Sequence, residues 1–221
     1  MVDDRRHSTP EKVLVAEDTD EKARLEAANA LRQAERVQSI IYSTVDGSRP
    51  FKLRPSLLLD LNRVAISGID QFAGNFRPCS VSISKSKHIP PGAHQVPELV
   101  EEMCDYVNDN WQTKSAIHLS AFVMWRLNWI HPFTDGNGRT SRAASYVVLC
   151  VKEQLFLPGV KTIPEQILEN RKPYYDAIEA ADERYKESGF SDDIVKEMEG
   201  LISAFLAEQL ANLHKSAGQA T

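Results

Sequence analysis

"RTSRAASYVVLCVKEQL", residues 139–155, is apolar around the whole circumference of its middle turns. A helix is built that way when other elements cover it on every side, so the stretch predicts the central helix of a mostly helical domain. "LPG" at 157–159 predicts its end. Upstream, "SAIHLSAFVMWRLNWI" (115–130) has helical spacing, and Ile117, Phe122, Trp125 and Trp129 predict that it is buried. "VPELVEEMCDYVND" (96–109) is a further helix with Pro97 in its first turn. Farther out, Thr19 predicts the N-cap of a helix running to Tyr42. Pro55 and Gly68 bracket another that carries Leu58, Leu61, Val64 and Ala65. Downstream, residues 162–189 give two helices split at Pro173. Residues 191–215 give an amphipathic helix capped by Ser191, with a stripe at Ile194, Met198, Leu201, Ile202 and Phe205 expected to pack on the core. "CSVSISKS" (79–86) alternates small polar residues with Val81 and Ile83 before the breaker "IPPGA", and reads as an extended segment or β-hairpin. The fold class predicted is mainly α: one domain over 16–215 around a central helix with a hairpin insertion, a disordered 1–15, and a mobile tail at 216–221.

Composition narrows the functions available. The chain has 221 residues, 42% of them hydrophobic, enough to bury a full core as one domain. A formal net charge of -5 and the lack of a basic patch argue against a nucleic-acid partner. Three widely spaced cysteines, Cys79, Cys104 and Cys150, fit neither a disulfide framework nor a zinc site, and point to a reducing cytoplasm. The charged N-terminal stretch is no signal peptide, and no apolar run approaches the roughly 20 residues needed to span a bilayer. The expectation is a cytoplasmic protein without a membrane partner.

The loop feeding the central helix, "HPFTDGNGRTSR" (131–142), holds the chemistry. Gly136 and Gly138 free the backbone to turn N–H groups inward where a helix begins, which makes an anion cradle. Arg139 and Arg142 stand in the first turn, where the helix dipole disfavours cations by roughly 0.3–1 kcal/mol each, so a polyanion is expected beside them. Asp135 would repel bare phosphates unless a cation such as Mg²⁺ lay between. His131, at a helix end fixed by Pro132, has the ordinary titration range of a base at neutral pH, and Phe133 is the expected apolar anchor. There is no G-x-x-x-x-G-K-[ST] and no dinucleotide fingerprint. The residues alone predict a phosphate site with a metal and a base.

The twelve residues resemble, position for position, the signature H-P-F-x-[DE]-G-N-G-R-x-x-R of the Fic (Fido) family. "AISGIDQFAGNFRP", "SVSISKSKHIPPGA" and "TIPEQILENRKPYYDAI" resemble the family's flanking elements, so the likeness covers about residues 20 to 190. The resemblance implies a Fic-type helical domain with a β-hairpin flap, and a protein adenylyltransferase that moves AMP from ATP to a Ser, Thr or Tyr hydroxyl of a target protein. By position it implies His131 as catalytic base, Asp135 as Mg²⁺ ligand, and Gly136, Asn137, Gly138, Arg139 and Arg142 around the phosphates. It further implies Tyr175 against the adenine, and Val81, Ser82 and Ile83, with Ile89 beyond, as the flap that binds the target's main chain. The same fold could instead transfer another nucleoside monophosphate, or phosphate as in the Doc branch, although Gly138 stands where that branch has lysine. It could also serve as a non-catalytic nucleotide-binding module.

Many members carry an inhibitory [ST]-x-x-x-E-[GN] helix, which this chain does not match. Glu26 is the nearest counterpart, with Lys22 and Ala27 at the specified positions. The expected regulators are therefore Glu26 itself or an antitoxin-like inhibitory protein, on a monomer or homodimer.

Overall fold

A computed structural model describes residues 8–10, 19–47, 50–157 and 161–218; side-chain positions are described for 20–47, 50–157 and 161–213. Most of the stretch expected to be disordered, and the last residues of the expected tail, lie outside these. Strand β1 is Ser8–Pro10 and helix α1 Thr19–Val45; α2 is Pro55–Ile66 and strand β2 Val81–Ile83. Then come α3 (Val96–Asp109), α4 (Ala116–Ile130), α5 (Asn137–Lys152), α6 (Ile163–Glu169), α7 (Arg171–Ser188) and α8 (Lys196–Gly218).

The core is built on the antiparallel-running pair α4 and α5, the most extensive helix contact among the described residues. Ser115 starts α4 by accepting from the His118 amide at 3.0 Å, a side-chain N-cap of the kind that fixes a helix start to one residue. Almost every residue of α4 and of the C-terminal two-thirds of α5 is buried. That burial explains the lack of polar–apolar alternation in 139–155: α1, α2 and α4 pack against α5, and α6 meets it too. Ser120 and Ser145 exchange hydroxyl hydrogen bonds across the pair at 2.7 Å, which satisfies two polar groups in an otherwise apolar seam.

Three boundaries differ from expectation. The break after α6 falls at Asn170, not Pro173; Pro173 lies in the first turn of α7, where a missing N–H costs nothing. Helix α8 begins at Lys196 because the Ser191 hydroxyl bonds the Asp193 carboxylate at 2.6 Å, closing a local turn in place of a helix cap. Its apolar stripe is still core: Ile194, Met198 and Ile202 are buried against α4 and α7. Finally, β2 pairs not with a neighbouring strand but antiparallel with β1, in the register Ser8↔Ile83, Thr9↔Ser82, Pro10↔Val81. Part of the N-terminal stretch expected to be disordered is thus a strand, ordered by main-chain hydrogen bonds that composition does not reveal.

Candidate active site

The loop between α4 and α5 is anchored from four directions before it presents any chemistry. Phe133 is fully buried, and its ring lies 6.0 Å from that of Phe76. The Asn137 side chain bonds both main-chain groups of Phe133, each at 2.9 Å, and so staples the turn shut. Asn62 of α2, wholly buried, donates to the Asp135 carbonyl at 3.0 Å and accepts from the Gly74 amide at 3.1 Å. Arg77 donates through Nε to the His131 carbonyl at 2.8 Å, through Nη1 to Cys79 at 2.9 Å, and through Nη2 to Pro91. Its backbone amide also reaches the Pro132 carbonyl at 2.9 Å. One guanidinium therefore ties the loop to both ends of the segment that contains β2.

His131 caps α4 in the left-handed conformation, φ 51° and ψ 58°, strained for a residue with a Cβ and held there by the contacts just described. The residue is buried, only 6% exposed, and Nδ1 lies 3.2 Å from the Asn128 carbonyl. Donation to that carbonyl puts the proton on Nδ1 and the lone pair on Nε2. Burial, reinforced by the Arg77 guanidinium, pushes the imidazole down to about 4, so it is neutral at physiological pH.

Asp135 accepts from the Gly136 amide at 2.6 Å through one oxygen and from Arg139 Nη2 at 3.2 Å through the other. The carboxylate thus takes up one amide at the start of α5, the position an anionic ligand would claim. Gly136 has φ +77°, and a Cβ there would meet Ile66 Cγ2 at 2.8 Å and Asn62 Nδ2 at 3.0 Å. At Gly138 a Cβ would come within 3.1 Å of Arg142 Nη1, so the guanidinium of Arg142 lies directly over the first turn of α5. Arg142 has no ion pair among the described residues, whereas Arg139 is held by the Ala65 carbonyl at 3.2 Å, by Asp135, and by Glu26 at 3.8 Å. Burial lowers the proton affinity of Arg142, which Tyr174 and Tyr175 partly restore.

The sequence-predicted residues fall into one connected region and a separate edge. His131, Asp135, Gly136, Asn137, Gly138, Arg139 and Arg142 share the α4–α5 loop and the first turn of α5. Tyr175 is half-buried, its ring 5.5 Å from that of Tyr174, which is itself buried and accepts from Asn128 at 2.8 Å. Glu26 reaches Arg139 rather than the Arg142 that the family's inhibitory glutamate would engage. In β2, Val81 is buried, Ser82 exposed and Ile83 between, while Ile89 is 86% exposed. Asn137 differs from the simple cradle picture, because its side chain serves the loop and leaves only its main chain for a ligand. Asn62, Arg77 and Asn128 are absent from the sequence reading, although Asn62 interrupts the apolar face of Leu58, Leu61 and Ala65, a signal that a polar partner waits there.

A metal would find one carboxylate here. Among the described residues no cluster of three or more His, Cys, Asp or Glu exists. That donor set fits Mg²⁺, which binds through one or two carboxylates plus phosphate oxygens and water, and does not fit a resident all-protein metal cage.

Residues 52–149 match the Fic/DOC family model. Over 128 residues, 57% of this chain, the sequence is 31% identical to the protein adenylyltransferase Fic of Drosophila willistoni and 32% to that of Drosophila melanogaster. The chain spans about a quarter (24%) of the length of these curated relatives. In structure it resembles a Fic-domain-containing signaling protein from Bacteroides thetaiotaomicron, with TM-score 0.70 and 18% identity, covering 89% of this chain and 73% of that one. It also resembles C. elegans Fic-1, with TM-score 0.64 and 18% identity, covering 93% of this chain and 56% of that one. The fold is that of the Fic-domain structures.

Proposed function

We propose that the chain is a protein adenylyltransferase that transfers AMP from ATP to a hydroxyl side chain of a target protein. The observation that carries this reading is the juxtaposition of a neutral, tautomer-fixed His131 with a helix start over which Arg142 lies without a carboxylate partner among the described residues. The first-turn amides of α5 and the Arg142 fork receive the polyphosphate, and the glycine at 138 leaves room for it. His131 Nε2 takes the proton of the target hydroxyl as its oxygen bonds the α-phosphorus. The α–β bridging P–O bond breaks, and pyrophosphate departs with the electron pair. Preorganised donors of this kind contribute about 10²–10³ each in rate, and a positioned base about 10²–10⁴.

Asp135 would hold Mg²⁺, which supplies neutralisation of phosphate charge when bound. To do so it must leave the Gly136 amide and Arg139, freeing both for phosphate oxygens. Tyr175 closes the region beside Arg142 where a base would stack. The target's main chain adds to β2 at Val81, Ser82 and Ile83, with the exposed Ile89 as a further contact. Three free cysteines suit work in a reducing cytoplasm.

Glu26 supports a second element of the reading. Its carboxylate, 3.8 Å from Arg139 Nη1, competes with phosphate for that side chain. Glu26→Gly raising self-labelling tenfold or more would make it the inhibitor; no rise leaves inhibition to a partner protein.

The decisive experiment incubates the protein with a cell lysate and ATP labelled at the α or the γ phosphate, comparing wild type with His131→Ala. Label from the α position alone, lost in the variant, supports adenylylation. Label from γ alone reassigns the protein to phosphotransfer, and no label from either reassigns it to nucleotide binding or a different nucleotide.

A further inference from the structure

The carbonyl of Asn128 places the proton on His131, and the side chain of the same Asn128 reaches the other half of the site. Its Nδ2 lies 2.7 Å from the Met124 carbonyl one turn back in α4, 2.9 Å from Ser141 Oγ in α5 and 2.8 Å from the Tyr174 hydroxyl in α7. An amide nitrogen has two hydrogens, so one goes to Met124 and the other is shared by the two hydroxyls. Those hydroxyls also bond each other. Ser141 passes the contact on, donating to the Gly138 carbonyl at 3.1 Å in the first turn of α5. Ser141 is fully buried and Tyr174 nearly so, so water does not readily replace the amide there. Asn62, Asn137 and Arg77 hold the loop between the helices, whereas Asn128 joins the helices themselves. One residue therefore bonds the base through its main chain, and the start of α5 and Tyr174 through its side chain.

We propose that Asn128 is a positioning residue for the transfer step: its amide fixes the end of α4, and with it Nε2 of His131, against the first turn of α5 that receives the phosphates. This role rests on the adenylyltransferase reading above, because a transfer that joins a base to a phosphate needs the two halves of the site in register. The hydroxyl oxygen must stand between Nε2 and the α-phosphorus, and a misplacement of about 1 Å costs roughly 10²-fold in rate. Apolar packing between α4 and α5 tolerates small slides along the seam, while a 2.9 Å bond to a buried hydroxyl is lost by them. The amide nitrogen serves protein groups and not the nucleotide, so its removal acts on kcat and leaves ATP affinity nearly unchanged.

The test is Asn128→Leu, which keeps the side chain's size and removes the donor. Initial rates of α-label transfer to lysate protein, over a range of ATP concentrations, should show kcat lower by about 10²-fold and the KM for ATP within about threefold of wild type. In ¹⁵N spectra of the histidine rings, wild type should show His131 protonated at Nδ1 alone, and the variant a mixture of both tautomers. Ser141→Ala cuts the same tie from the other side, so the double variant should be slower than Asn128→Leu by no more than about twofold. Thermal unfolding checks that each variant is folded; if Asn128→Leu is not, Asn128→Gln, whose amide stands one methylene farther out, should lower kcat by about tenfold with the same KM. A kcat within about threefold of wild type overturns the proposal. So do a KM that rises as far as kcat falls, a variant ring that keeps one tautomer while kcat falls, and additive losses in the double variant. A wild type that transfers no α-label defeats the adenylyltransferase reading and this role with it, whereas an active wild type beside an equally active Asn128→Leu defeats this role alone.

Discussion

Protonation of His131 should unfold the domain's advantage as well as its chemistry. In the unfolded chain the imidazole titrates near 6.5, and in the folded protein burial holds it down to about 4. Below pH 6.5 the unfolded state therefore binds the extra proton first, so folding stability falls as the pH drops from about 6.5 to about 4 and levels off below. With those two values the loss at about pH 4.5 is about 2–3 kcal/mol, a sizeable part of a typical domain's stability. The measurement is urea unfolding of wild type and His131→Gln at several pH values, with the stability difference between them isolating this one group. A parallel NMR titration of the imidazole should place its midpoint near 4, and addition of ATP should raise that midpoint, because a neighbouring polyanion favours the charged ring. On the activity side, the acidic limb of kcat/KM should fall well below pH 6. A stability difference that stays flat within about 0.5 kcal/mol between pH 7 and 4.5, or a midpoint near 6.5, would refute the buried, neutral base.

Other variants separate folding from ligand binding. Gly138→Ala has helical room, since its Cβ meets only the flexible end of Arg142, so the Tm should hold or rise while ATP affinity drops about tenfold or more, by calorimetry. Gly136→Ala meets Ile66 and Asn62 from a left-handed backbone and should cost about 2–3 kcal/mol in chemical denaturation. The Thr134 hydroxyl is buried without a partner among the described residues, so Thr134→Val should be neutral or stabilising by about 1 kcal/mol. Arg77→Lys loses a planar fork that bonds three carbonyls and should lower stability by about 3 kcal/mol and kcat more than KM.

What was readable in the sequence was local. Helix α3 matches its expected span because Pro97 and a regular apolar stripe act within a few residues, and Ser115 marks the start of α4 in the same way. Residues 131–142 declared their glycines, arginines, acid and base, because those sit together along the chain. The supports of the site are remote: Asn62 reaches Asp135 across 73 positions and Arg77 reaches His131 across 54, and a lone polar residue does not state its partner. Competition between neighbouring hydroxyls and carboxylates misled at Ser191, whose partner is Asp193 and not a helix amide. Glu26 was noticed without its geometry, since α1 must first pack on α5 before that carboxylate and Arg139 can meet.

The pairing of β1 with β2 gives the edge at Val81–Ile83 a resident occupant. A strand arriving at that same edge must displace three residues of the same molecule, an internal rival whose presence does not depend on the concentration of the solution. Weak pairing from passing proteins would lose to this internal rival, and only a chain with additional contacts would win. A three-residue strand is also inexpensive to peel away, so the edge would act as a threshold: closed to casual encounters and quick to yield to a partner that brings a second foothold.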